Sequence, residues 1–177
     1  QYLLPEYEGN IIPVRNQLIA SNALNEIIWN PSYANSANYD FEYYHQRNID
    51  TRIVIGGGRD AAPQDENMWY GDYNDSVINA GVSVYLSSFL SGYYPIIEET
   101  VGPQLDIYME WAGILGFSND GLPWIGPLVN KPDAYICAGY TGNGIINPIN
   151  AGRNVAQMIM NQIPQPFADQ LLPSSRS

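Results

Sequence analysis

The last third of the chain reads Tyr135-Ile-Cys-Ala-Gly-Tyr-Thr-Gly-Asn-Gly-Ile-Ile-Asn-Pro148, a short apolar run followed by a turn rich in glycine. Gly142 and Gly144 let a backbone adopt positive φ angles and approach a flat ligand closely. Asn147 can cap a helix whose first residue is Pro148, a favoured arrangement at helix starts. The N-terminus of that helix would direct its positive dipole end at an anionic group. The segment predicts a strand, a tight turn and a helix, which either hold a ligand or only connect two elements.

Periodic patterns outside this segment predict an α+β fold with an antiparallel sheet. The predicted strands are residues 11–29 (one or two strands), 39–47, 51–55, 104–111 and 134–138. The predicted helices are residues 74–94, with Asp75 or Ser76 as the cap, and residues 148–162. Segments 56–73 and 112–133 lack periodicity and are predicted to be loops.

Alternation along two of the strands predicts which side chains face inward. Phe41, Tyr43 and His45 share the apolar face of their strand, so His45 is expected to be a structural histidine. Tyr44 and Gln46 point the other way and are expected to line a ligand cavity, although a single tyrosine more often serves packing. In the strand 104–111, the residues expected to face inward are Leu105, Ile107, Met109 and Trp111.

Composition and charge exclude several classes of function. A formal charge of −11 over 177 residues disfavours nucleic acid and anionic membrane surfaces, because both would repel the chain. No apolar run approaches the roughly 18 residues of a membrane span. His45 and Cys137 are the only residues of their kinds, so a histidine or cysteine metal site is not expected. Cys137 lies in an apolar run and is predicted to be a buried, inert thiol.

The cellular compartment stays open. Asn74-Asp-Ser76 is an acceptor sequence for N-glycosylation, but so short a motif occurs often by chance. We expect an intracellular or organellar location, with secretion as the alternative.

Four motifs stand in the order in which one enzyme superfamily has them. Pro13-Val-Arg-Asn-Gln17 is similar to its P-V-R-G-Q strand, with Asn16 where glycine is usual, and Arg52-Ile-Val-Ile-Gly-Gly57 to its R-I-V-L-G-G strand. Asp120-Gly-Leu-Pro123 is similar to its D-G-L-P-x-I-G segment, and Thr141-Gly-Asn-Gly144 to its S/T-G-H-G turn. The chain thereby resembles, over most of residues 11–163, the C-terminal half of the FAD-dependent oxidoreductases of the D-amino-acid oxidase, glycine oxidase and sarcosine oxidase superfamily.

The resemblance implies an organisation into domains. Residues 1–112 would form an antiparallel-sheet lobe with one helix, like the substrate domain of the superfamily. Residues 113–163 would be the strand, loop and helix that close an FAD-binding domain of the GR2 type, and residues 164–177 a loose tail. The superfamily opens with a strand, a G-x-G-x-x-G turn and a helix, and we find no segment that fills this role. We therefore expect the N-terminal Rossmann part to lie outside this chain.

The same resemblance implies the site residues. FAD is the implied cofactor, and its candidate binding residues are Gly139, Thr141, Gly142, Asn143, Gly144 and Ile145. The substrate-pocket candidates are Tyr44, Gln46, Arg59 and Leu115. Leu115 stands about where relatives place an arginine that clamps a substrate carboxylate, and leucine offers no charge-assisted hydrogen bond. Arg59 either meets an anionic substrate group or is a solvated arginine, and no catalytic residue is assigned.

Two functions are compatible with these residues. The first is the C-terminal portion of an oxidoreductase that passes a hydride from a C–N bond of a small amine or amino acid to flavin, completed by an N-terminal half on another chain or fragment. The alternative is a flavin-free, non-catalytic structural subunit of a larger assembly, descended from such an enzyme. Both predict a partner, because unpaired strand edges and exposed apolar surface invite aggregation.

Overall fold

The computed structural model describes residues 4–28, 33–37, 40–61, 69–162, 164 and 168–176. The chain divides into a first unit of residues 15–114 and a second unit that joins residues 1–14 to residues 115–177. The sequence predicts residues 1–14 in the sheet lobe. They group with the second unit because Leu4, Tyr7 and Ile11 pack against its apolar cluster.

The first unit contains a mainly antiparallel sheet with the strand order β2-β3-β4-β1-β5. Its strands are β1 (Ile11–Ser21), β2 (Tyr33–Ala37), β3 (Asp40–Gln46), β4 (Ile53–Gly57) and β5 (Ile107–Ser118), of which β1 and β5 run on into the second unit. Central β4 pairs antiparallel with both β1 and β3, so that Ile55 lies opposite Ile19 on one side and Tyr44 on the other. The predicted strands 39–47 and 51–55 are confirmed as β3 and β4, which form an antiparallel hairpin.

The described residues of the first unit also form two α-helices, α1 (Ala80–Tyr93) and α2 (Pro95–Val101). The predicted start of α1 near Asp75 or Ser76 is wrong. The helix begins after Asn79, whose side-chain oxygen accepts hydrogen bonds from the N–H groups of Gly81 and Val82 at 2.9 and 3.2 Å, the usual chemistry of an N-cap. The buried core of the unit consists of Ile19, Tyr44, Ile53, Ile55, Val82, Leu86, Phe89, Leu90, Ile97 and Leu105.

The core face of β3 is the opposite of the predicted one. Phe41 and His45 are exposed, so His45 is not a buried structural histidine, whereas Glu42 and Gln46 are buried. Burial of these polar side chains is possible because they have partners. The Tyr85 hydroxyl donates to Glu42 Oε1 at 2.7 Å.

The inward face predicted for β5 is also wrong in part. Leu105 is buried just before the strand, but Ile107 and Met109 are exposed and Trp111 is half-buried. Among the strands that the structure describes, β5 is the last in the sheet order and has a neighbour on one side only. It continues to Ser118, through a stretch whose glycines favoured a loop in the sequence.

The second unit contains a two-stranded antiparallel sheet of β6 (Trp124–Pro127) and β7 (Tyr135–Ala138), followed by helix α3 (Pro148–Ile159). Strand β7 and helix α3 are confirmed, while β6 falls within a predicted loop. Buried Trp124, Leu128 and Ile136 form its apolar cluster. Cys137 is exposed rather than buried, because it alternates with Ile136 along β7.

The described part of the C-terminal segment is not a loose tail. The Arg176 guanidinium lies 4.0 Å from the centre of the Trp124 ring, bonds to Asp120 Oδ1, and donates to Pro123 O at 3.0 Å. Pro173 is fully buried. A cation above an indole ring and a buried proline hold this segment on β6. Among the helices that the structure describes, none is long and apolar enough to cross a membrane.

The end of β4 yields a test of the fold. Gly57 has a φ of 129°, and a Cβ added there would lie 2.6 Å from Phe41 O and 3.0 Å from Glu42 Cα, both backbone atoms. Gly57→Ala should therefore destabilise the protein by about 2 kcal/mol or more through strain and overlap. Gly113→Ala is the matched control, because a Cβ at Gly113 meets no atom within 4 Å. The measurement is the thermal unfolding midpoint of each full protein, and equal midpoints for the two variants would contradict the geometry.

Candidate functional site

The glycine turn between β7 and α3 is fastened to β5 at its most strained residue. Thr141 has a φ of 51°, in a region that β-branched residues rarely adopt. Its N–H donates to Gly116 O at 2.9 Å, and its Oγ1 accepts from the Ser118 N–H at 3.1 Å. Strain of this kind costs on the order of 1–3 kcal/mol and persists only where the surroundings enforce it. These bonds to β5 enforce it here.

The glycines of the turn serve different purposes. Gly139 and Gly142 have φ angles of 75° and 86°, so Gly142 adopts the positive φ that its missing side chain allows. Gly144 has no positive φ. A Cβ added at Gly144 would find its nearest atom, Tyr140 Cβ, at 4.0 Å. Gly144 thus leaves open space above the turn, although its backbone conformation does not require a glycine.

Helix α3 begins as predicted at Pro148, but its capping differs. Asn147 makes no side-chain capping bond; its Nδ2 instead donates to Asn143 O at 3.1 Å. The first N–H groups of a helix have no partner inside the helix. In α3 they are therefore available to solvent or to an anionic ligand edge.

Apolar side chains surround the start of α3 and are uncovered in this chain. Ile145, Ile146 and Ile149 have exposed fractions of 95%, 76% and 77%. We call these three residues the isoleucine patch. Adjacent exposed isoleucines are unusual on a free surface and typical of one that is covered by something else.

Tyr140 adds a neutral hydroxyl beside the turn. Its oxygen lies 2.8 Å from Cys137 Sγ. Partial burial raises the pKa of the Tyr140 hydroxyl well above its ordinary value, and the contact with the Cys137 thiol raises it further. Tyr140 therefore stays protonated through the physiological pH range.

Two of the predicted substrate residues lie in the core of the first unit. The Tyr44 hydroxyl is 2.5 Å from the Tyr94 hydroxyl. Gln46 Nε2 donates to Glu26 O and Thr51 O at 2.8 Å, and its Oε1 accepts from the Ile28 N–H at 2.7 Å. The prediction that Tyr44 and Gln46 line a ligand cavity is wrong, because both are buried and occupied with these internal bonds.

The other two substrate candidates lie in different units. Arg59 is half-buried in the first unit, with its guanidinium 5.5 Å from the centre of the Trp69 ring. Leu115 is half-buried in β5 of the second unit, directly before the Gly116 carbonyl that receives the Thr141 N–H. Leu115 and the glycine turn therefore belong to one unit, and Arg59 belongs to the other.

The sequence patterns did not reveal the anchors of the turn. Gly116 and Ser118 lie more than 20 residues before Thr141, in a stretch predicted to be a loop. Both residues contribute through a backbone group, the Gly116 carbonyl and the Ser118 N–H, so side-chain type gave no signal for them in the sequence.

The comparisons with known proteins agree on one fold. The family model DAO, described as FAD dependent oxidoreductase, matches residues 1–158. L-proline dehydrogenase from P. horikoshii superposes with a TM-score of 0.71 at 22% identity, over 94% of this chain and 40% of that one. Glycine oxidase from Geobacillus kaustophilus superposes with a TM-score of 0.68 at 20% identity, over 90% of this chain and 38% of that one. For fructosyl amine:oxygen oxidoreductase (Amadoriase I) from Aspergillus fumigatus, the TM-score is 0.71 at 12% identity, over 94% of this chain and 39% of that one.

At these sequence identities, the similarity to solved structures shows the fold alone, a mixed α/β architecture with antiparallel sheets. The chain spans about two fifths of the length of these structures. No curated protein matches the chain in sequence.

Proposed function

We propose that this chain, which belongs to the DAO family of FAD-dependent oxidoreductases, is the C-terminal portion of an amine or amino-acid oxidoreductase. FAD, the cofactor of the family, supplies the chemistry when bound by accepting a hydride from the carbon next to the substrate nitrogen. The observation that carries the proposal is the glycine turn, which is held in a strained conformation by β5 and opens onto an uncapped helix.

The turn fits a flat group with an anionic edge. Gly139, Thr141, Gly142, Asn143, Gly144 and Ile145 are the residues that would hold it. The open space above Gly144 admits a ring against the backbone, and the start of α3 favours negative charge in front of it. Because the bonds from Gly116 and Ser118 fix Thr141 in advance, the turn has little to reorganise when it binds.

The isoleucine patch supports the proposal that a second half completes the protein. Burial of apolar surface contributes about 25 cal/mol per Å², so three exposed isoleucines favour any arrangement that covers them. The partner that we propose is the N-terminal FAD-binding half, on another chain or fragment. The coverage of about two fifths of each related structure is consistent with it.

Leu115 indicates which class of substrate the protein prefers. An α-amino acid is best held by an arginine fork that pairs with its carboxylate, and Leu115 stands about where relatives have that arginine. We therefore propose small amines without an α-carboxylate as the preferred substrates, with Arg59 as the other candidate for an anionic group.

The same leucine favours the second candidate function. A subunit that no longer binds substrate has no use for a carboxylate clamp. In this alternative the chain is a flavin-free structural subunit of a larger assembly, and the isoleucine patch is covered by its neighbours there.

A substitution at Gly144 gives different results under the two proposed functions. Gly144→Val should release flavin from the assembled protein, because the valine occupies the space above the turn. The chain itself should stay folded, since the glycine has an ordinary φ and a Cβ has room there. The measurement is bound flavin per assembled complex, read from visible absorbance beside circular dichroism.

Gly92→Val is the matched control for this prediction. Gly92 is exposed in α1 of the other unit, with nothing within 4 Å of an added Cβ, and this variant should keep its flavin. Stoichiometric flavin in Gly144→Val would refute the contact. A wild-type complex without flavin would favour the structural subunit.

The second prediction concerns substrate choice. Methylamine and ethylamine should have a higher kcat/KM than glycine and D-alanine, their carboxylated counterparts. Leu115→Arg should raise kcat/KM for the amino acids by roughly tenfold or more, the value of one charge-assisted hydrogen bond. If the wild-type enzyme prefers the amino acids and Arg59→Ala abolishes that preference, Arg59 is the clamp and the argument from Leu115 fails.

A further inference from the structure

The sequence contains one acceptor motif for N-glycosylation, Asn74-Asp-Ser76, which lies in the first unit. Such a motif consists of asparagine, any residue except proline, and serine or threonine. Asn30-Pro-Ser32 fails this requirement, because proline stands in the middle. A motif of three residues is too short to establish a modification. The surroundings of Asn74 in the fold therefore decide whether this residue can carry a sugar.

The motif lies on the surface of the first unit, in a segment that is fastened to the sheet. Residues 73–77 are all exposed and belong to no helix or strand. The Arg15 guanidinium, on β1, pairs with Asp72 Oδ2 at 2.8 Å. Asp72 Oδ1 in turn accepts from the Asn74 N–H at 2.7 Å. The backbone before the motif is thus held on β1, while Asn74 itself remains exposed.

The serine of the motif orients the Asn74 amide. Asn74 Oδ1 accepts from the Ser76 N–H at 3.1 Å and from Ser76 Oγ at 2.6 Å. These two bonds turn the amide oxygen toward Ser76. Nδ2 lies on the opposite side of the amide carbon from them, and Nδ2 is the atom to which the sugar of an N-linked glycan is attached. A sugar there would leave both bonds of the turn intact.

An open hollow beside the motif gives a sugar room on the folded protein. Its volume is about 650 Å³, within the range of about 300–1,000 Å³ that is usual for sites that hold small molecules. The hollow is lined by Tyr70, Gly71, Asp72, Tyr73 and Asn74. The exposed fractions of Tyr70 and Tyr73 are 47% and 68%. A sugar at Asn74 can therefore lie against exposed aromatic surface without displacing packed side chains.

We propose that Asn74 carries an N-linked oligosaccharide. In the transfer reaction, a bond forms between Asn74 Nδ2 and the anomeric carbon of the first sugar. The bond from that carbon to a phosphate oxygen of a diphosphate-linked sugar donor breaks, and the diphosphate leaves with the electron pair. One proton of the amide passes to solvent.

The modification has consequences for surface and location. An oligosaccharide is bulky and solubilising, and at Asn74 it covers a surface on which Tyr73 and Val77 are exposed. The chain then enters the secretory route, which is compatible with a secreted or an organellar location and not with a cytosolic one. The proposal does not depend on flavin binding or on amine oxidation.

Mass spectrometry of the protein purified from its own source tests the proposal. Peptide N-glycosidase releases an N-linked glycan and converts the asparagine that carried it into aspartate. The enzyme should make this conversion at Asn74, with a matching loss of mass from the intact protein. Treatment in water enriched in ¹⁸O distinguishes this conversion from spontaneous deamidation. A native protein whose Asn74 is unmodified before treatment overturns the proposal.

Ser76→Ala and Ser76→Thr, expressed in the same source, form a matched pair. Ser76→Ala removes the hydroxyl that the motif requires and should abolish the glycan completely, although Asn74 is still present. Ser76→Thr keeps a hydroxyl and should keep the glycan. Both variants should fold, because Ser76 is exposed and surface substitutions seldom disturb a fold. A glycan that persists on Asn74 in Ser76→Ala would contradict the account. Flavin content and turnover are separate readouts, so a failure of the proposed function leaves this result unaffected.

Discussion

The hydrogen bond from the Thr141 N–H to Gly116 O is the interaction on which the candidate site depends. Alone, a threonine would leave the left-handed region, and the turn would relax. Bonded to β5 through its N–H and its hydroxyl, Thr141 fixes the path of the chain from β7 into α3. Gly139 contributes to this path through its φ of 75°, a conformation that favours glycine. The open space above Gly144 and the start of α3 are consequences of that path.

A second constraint concerns what the second unit leaves uncovered. Among the described residues of this unit, the β6–β7 sheet has two strands and α3 is the one α-helix, which leaves little structure to bury an apolar face from both sides. Trp124 and its neighbours are covered by the N-terminal residues and by the C-terminal segment, but the isoleucine patch is not. In the first unit, β5 presents the same problem, because it is the last of the described strands in the sheet order and its side chains Ile107 and Met109 are exposed. These uncovered surfaces support the proposal that a further half of the protein covers them.

Local chemistry made some features predictable from the sequence and left others hidden. The β3–β4 hairpin, β7 and α3 follow from alternation, glycine and proline, and four ordered motifs sufficed for the family. The core face of β3 did not follow, because Glu42 and Gln46 are buried through partners that lie far away in sequence. For the same reason the sequence indicated the glycines of the turn but not its anchors, Gly116 and Ser118.

The most direct test of the account is the behaviour of residues 1–177 in isolation. If the chain is one portion of a flavoprotein that a second half completes, it should not form a stable monomer. The isoleucine patch and the edge of β5 would drive self-association. Analytical ultracentrifugation combined with thermal unfolding should then show aggregates or a broad, non-cooperative transition. A monodisperse monomer with one cooperative transition would contradict the account.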